Sequence, residues 1–171
     1  MSQKTVSKDF HSNIETWILE RLSKPSSVFA GLPPCPYAKR AWLDNQVKTH
    51  YLDETFSLKR SIPAEIENYT YQWPKNIEVV VLGFDPLRIL PSKLSNILDN
   101  AKTMLDKRGY TALEDHPFER EEVGGIHLNN AEYGLVLLQP TEKLAAARAW
   151  LESKDYYKSW DPEYKQDVQD R

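Results

Sequence analysis

Apolar residues along this chain fall into two rhythms, and their alternation sets the expected architecture. Ile14, Trp17, Ile18 and Leu22 recur at helical spacing, which puts them on one face of a helix. Ser12-Asn-Ile-Glu15 reads as a capping box at its start, a hydroxyl and a carboxylate each satisfying a free amide. Lys24-Pro25 ends that helix. A proline-bounded loop follows, and a second helix is expected to begin at Cys35-Pro36, because proline suits the first helical position. Another is expected from Pro63 to the stop at Trp73-Pro74. Leu94, Ile97, Leu98, Ala101 and Leu105 mark a longer helix that Ser92 opens and Lys107-Arg108-Gly109 closes. There, cations meet the negative pole and a residue tolerant of positive φ follows. Thr141 opens a helix carrying Leu144, Ala147 and Leu151, and Asp161-Pro162-Glu163 opens a last short one.

Strand signals lie between these helices. Val47, Thr49 and Tyr51 alternate with polar residues. Ile77 to Phe84 and Tyr133 to Gln139 are near-continuous apolar runs, as expected of strands buried on both faces. Tyr110 to Leu113 is a shorter strand, Glu114 to Asn130 an acidic loop, and Gly124-Gly125 a tight turn within it. The result is an α+β fold: a single mixed sheet of about four strands with helices packed on it, partly ferredoxin-like between Ile77 and Leu151. It forms one domain over residues 1–171, with 1–11 expected to be a flexible N-terminus.

Composition narrows function by exclusion. Net charge is −3 and hydrophobic residues make up 40%, so a general attraction to nucleic acid or anionic membrane is not expected. With only 6 glycines there is no Gly-rich phosphate cradle. The first residues, MSQKTVSKDF, lack a signal-peptide apolar stretch, and apolar runs such as Val79 to Leu82 are far too short to span a bilayer. One cysteine excludes an internal disulfide and a Cys-rich zinc site. The expected location is the reducing cytoplasm.

That cysteine carries the main chemical candidate. If Cys35 caps a helix whose first residue is Pro36, unpaired amides and the helix dipole favour thiolate, and Lys39 and Arg40 add to this. Lys39, Arg40, Tyr37 and Arg120 are then candidates to receive a small anionic substrate. The competing reading makes Cys35 a small buried hydrophobe. The stretch Leu113 to Asn130 gathers Glu114, Asp115, His116, Glu119, Glu121, Glu122 and His127. His116 is a candidate base for Cys35. Alternatively His116, His127 and Asp115 supply two imidazoles and an oxygen to a metal. Tyr156, Tyr157, Trp160 and Tyr164 in the tail read either as packing or as an aromatic surface for a protein partner.

Two resemblances attach to these residues. Cys35-Pro-Tyr-Ala38 resembles the start of the glutaredoxin motif, with alanine at the resolving cysteine; the preceding helix and loop do not suit that fold. Trp17, Cys35 to Lys39, Gly109-Tyr110 and His116-Pro117 follow an order that resembles a family of small uncharacterised bacterial proteins, a domain of unknown function, across residues 12 to 140. That resemblance implies a shared site for Cys35 and His116 and brings no activity with it. Three readings stay open at this point: a thiol enzyme on a small anionic substrate, a non-catalytic interaction module, and a metal-dependent enzyme.

Overall fold

The computed structural model describes residues 3–53 and 57–170. Residues 1 and 2 of the expected flexible N-terminus, and 54–56 ahead of the third helix, lie outside that range. Helix α1 spans Gln3–Thr16 and runs on as a widened turn from Trp17 to Leu22. The capping-box serine therefore sits in mid-helix, where its carbonyl accepts from Thr16 Oγ1. Phe10, in the stretch expected to be flexible, is fully buried. The remaining elements are α2 (Ala38–Leu43), β1 (Val47–Tyr51), α3 (Leu58–Tyr71), β2 (Val79–Phe84), α4 (Pro91–Arg108), β3 (Tyr110–Asp115), β4 (Glu122–Val123), β5 (Ile126–His127), β6 (Gly134–Pro140), α5 (Thr141–Glu152) and α6 (Pro162–Asp170).

Four strands form one mixed sheet in the order β1-β2-β6-β3. β1 runs parallel to β2, while β6 lies antiparallel between β2 and β3. β2, α4 and β3 thus make a split β-α-β unit with β6 inserted, which is the ferredoxin-like element. The acidic loop contains a second, two-stranded sheet, β4 with β5, turned by Gly124 and Gly125 at positive φ.

Alternation along the strands divides the core into two faces. Val80, Leu82 and Phe84 of β2 join Val136 and Leu138 of β6 beneath Ile62 and Ile66 of α3 and Leu94 and Leu98 of α4. Val81 and Leu135 face the other way and pack with Phe10, Ile14 and Ile18. This explains the unbroken apolar run of β2, since both faces are covered. A satellite cluster joins Phe29 and Val123 to Leu151, Tyr156 and Tyr157. The aromatic tail is therefore core: Tyr156 and Tyr157 are buried, and Trp160 packs partly buried against them. No helix among the described residues is long and apolar enough to cross a membrane.

Gly109 closes α4 in the left-handed conformation at φ 76°, as the Lys107-Arg108-Gly109 sequence predicts. The turn that follows sets the phase of the outer sheet. Thr141 N donates to Gly109 O at 2.9 Å, and Tyr110 lies opposite Pro140. Bonded and non-bonded pairs alternate in an antiparallel ladder. Thr111, Leu113 and Asp115 therefore turn their backbone groups toward β6, and the N–H and C=O of Tyr110 and Ala112 turn to the open edge. Pro140, which has no N–H to give, occupies a non-bonded position.

Candidate functional site

Cys35 does not cap a helix. Residues 34–37 bend and turn, α2 begins at Ala38, and Tyr37 is its N-terminal cap. The thiol therefore does not sit at a helix start, and α2 has only six residues. Amides of Ala38 and Tyr37 still approach the sulfur and favour its charged form, but burial outweighs them and pushes the thiol up from its ordinary range. Cys35 keeps some surface as a residue, while its sulfur is the desolvated part. Beside it, Tyr156 donates its hydroxyl to Pro34 O, and burial raises that phenol too. This is the small-hydrophobe environment. Iodoacetamide at neutral pH is expected to alkylate Cys35 at least about tenfold more slowly in folded than in denatured protein. Faster labelling of the folded chain would restore the thiolate reading.

His116 is not held for Cys35. It is fully buried at the end of β3. Its Nε2–H donates to Ile89 O at 2.9 Å, and its Nδ1 accepts from Phe118 N at 3.2 Å. Both ring nitrogens are consumed in pinning the 86–90 loop to the start of the 116–120 turn. The shared Cys35–His116 site expected from the sequence is absent among these bonds.

The four expected substrate contacts are scattered. Tyr37, 41% exposed, meets Trp150, also 41% exposed, with ring centroids 5.8 Å apart. Lys39 is exposed. Arg40 pairs with Asp44 at 3.4 Å. Arg120 lies ahead of the β4–β5 hairpin, 2.7 Å from Glu122, and also reaches His127 Nε2 at 3.3 Å. The metal candidates disperse as well: His127 is on that hairpin, while His116 and Asp115 hold backbone and amide partners. Among the described residues no group of three His, Cys, Asp or Glu is placed to hold a metal.

Asp115 is nevertheless unusual. Its Oδ1 accepts from Asn129 Nδ2 and its Oδ2 from Asn130 N, both at 2.7 Å. Asn130 in turn donates to Asn13 Oδ1 at 2.7 Å and accepts from Glu132 N and Tyr133 N. Burial raises the carboxyl to about 7 against these hydrogen bonds, and Glu121 and Glu119 add to the rise. The network ties β3, the loop ahead of β6 and α1 together, and Asp115 is buried within it.

The outer edge of β3 is different, because a groove opens on each of its two faces. On one side, α4 and β3 enclose a groove of about 340 Å³. Asp99, Lys102 and Asp106 of α4 line it, with Glu114 of β3 and Asp170 at the end of α6. Ser95 Oγ holds Glu114 Oε1 at 2.8 Å. On the other side, Thr111, Leu144 and Arg148 line a second groove of about 410 Å³, with Gln169 of α6 closing it. Among the described residues no turn or loop backbone group bonds the outward groups of Tyr110 or Ala112. The sequence rhythm gave one hint of this edge: YTALED is shorter and more polar than YGLVLLQ, as an outer strand is relative to an inner one. The grooves depend on where α4 and α6 pack, which no local pattern encodes.

No family model, curated protein or solved structure matches this chain.

Proposed function

We propose that this chain is a non-catalytic interaction module that receives an extended segment of a partner along the free edge of β3. The single observation that carries this reading is the pair of open grooves flanking a strand whose Tyr110 and Ala112 backbone groups face outward. Edge strands that remain uncovered accept further strands, with main-chain bonds supplying affinity and the neighbouring pockets supplying selection. The raised thiol of Cys35 and the backbone-bound ring of His116 favour this reading over thiol catalysis. The aromatic tail, for which the sequence offers packing or a partner surface, supports it only indirectly, by fixing the segment that leads into α6, which lines both grooves.

A photoreactive residue placed at Lys102, exposed within the groove, tests this in cells. Discrete adducts are expected there, lost when Ala112→Pro is added, and not seen from Leu43, an exposed residue of α2. Equal adducts from both positions, or none from Lys102, would overturn the reading.

A further inference from the structure

We infer that the segment received by β3 is an extended peptide with lysine or arginine at alternate positions. This rests on the strand-edge reading above and names the chemistry of its partner.

The phase of β3 determines which side chains of an added strand enter which groove. Opposed residues in a β-ladder share a face. Tyr110 and Ala112 pack toward α4, so peptide residues set opposite them point into the α4 groove, and the intervening residues point toward α5. The α4 groove has four carboxylates, Asp99, Asp106, Glu114 and Asp170, against one cation, Lys102. Leu98 and Leu105 form its floor, which suits the methylene stem of a lysine or arginine whose charged head reaches the rim. The α5 side, with Thr111, Leu144 and Ala145, offers small and apolar contacts, and its two charges, Arg148 and Glu152, are of opposite sign. Alternate residues of the peptide are therefore uncharged and β-branched.

The same charges argue against a second copy of this chain as occupant. Antiparallel pairing of β3 with β3 sets two α4 grooves along one seam, carboxylates facing carboxylates, which is unfavourable at close range.

The experiment uses the full chain and short capped peptides alternating lysine with valine or glutamate with valine. Binding is followed by fluorescence anisotropy at low salt. The lysine peptide is expected to bind, and the glutamate peptide is not. Ala112→Pro removes the outward N–H at an edge position that tolerates proline, and it is expected to weaken binding at least about tenfold. Asp99→Lys combined with Asp106→Lys is expected to do the same. A lysine peptide N-methylated at alternate residues deletes the main-chain bonds from the ligand side, whatever the proline variant does to folding, and is expected to lose binding. The inference is overturned if the N-methylated and plain lysine peptides bind alike, since attraction is then only of net charge. It is also overturned if the lysine peptide fails to bind at millimolar concentration, or if sedimentation finds a dimer that Ala112→Pro dissolves. Photo-adducts at Lys102 alongside a silent lysine peptide would leave the strand-edge reading standing with a different partner chemistry; loss of both would remove the two together.

Discussion

Phe10→Ala is expected to destabilise the fold by about 3–5 kcal/mol, the usual cost of removing a buried phenylalanine. That is a large part of the whole stability of a domain. Phe10 is fully buried. Its ring meets Tyr133 edge-on at 5.1 Å and Tyr51 at 5.6 Å, holding α1 to the sheet. It also occupies the space above Gly83. A Cβ at Gly83 would lie 2.2 Å from the Phe10 ring, so this glycine serves for room, its φ lying outside the left-handed set. The two positions should therefore be coupled. Gly83→Ala alone should cost about 1–3 kcal/mol by overpacking, and much less once Phe10 is alanine. Urea unfolding of the single and double variants measures the coupling. Strict additivity would mean that the ring does not rest on Gly83.

Asp115→Asn is expected to change how stability depends on pH. In the unfolded chain the Asp115 carboxyl ionises near its ordinary value of 3.8, whereas in the fold it keeps its proton to about 7. The folded state thus binds more protons between those values. Its stabilising contribution is full below about pH 4 and is lost as pH rises through about 7. A shift of this size corresponds to about 4 kcal/mol at most. Carboxylates remote from Asp115 contribute equally in both proteins and cancel in the comparison. On acidification from neutral to about pH 4, the wild type should gain stability relative to Asp115→Asn. Parallel stability profiles for the two proteins would show that the buried carboxyl ionises as it does in water.

Those two residues also mark how far the sequence could be read. The strands from Val79 and Gly134, and α4 with its Gly109 cap, were legible because period, cap and stop agree locally. Gly124-Gly125 was legible as a turn for the same reason. Phe10 was missed because the capping box at Ser12 pointed to a later helix start, although α1 begins at Gln3. Packing against Tyr51 and Tyr133 overrode that local signal. For Asp115 the sequence suggests only an oxygen donor to a metal. Its partners Asn129 and Asn130 lie fourteen and fifteen residues on, and nothing in a linear pattern pairs them. Cys35 was misplaced because Cys-Pro reads as cap and first turn, yet the chain there makes a turn of its own before α2. The candidate binding edge was hardest of all, since an outer strand is defined by what does not pack beside it.

The order of the sheet has a further consequence for how the molecule is made. β6, which contacts both β2 and β3, is the last of the four strands to be synthesised. Until residues 134–140 leave the ribosome, β2 and β3 have no common neighbour, and the apolar undersides of α3 and α4 face an incomplete sheet. Because the central partner comes from the latest segment, the sheet is expected to close in one cooperative step governed by a long-range pairing and not by stepwise addition along the chain.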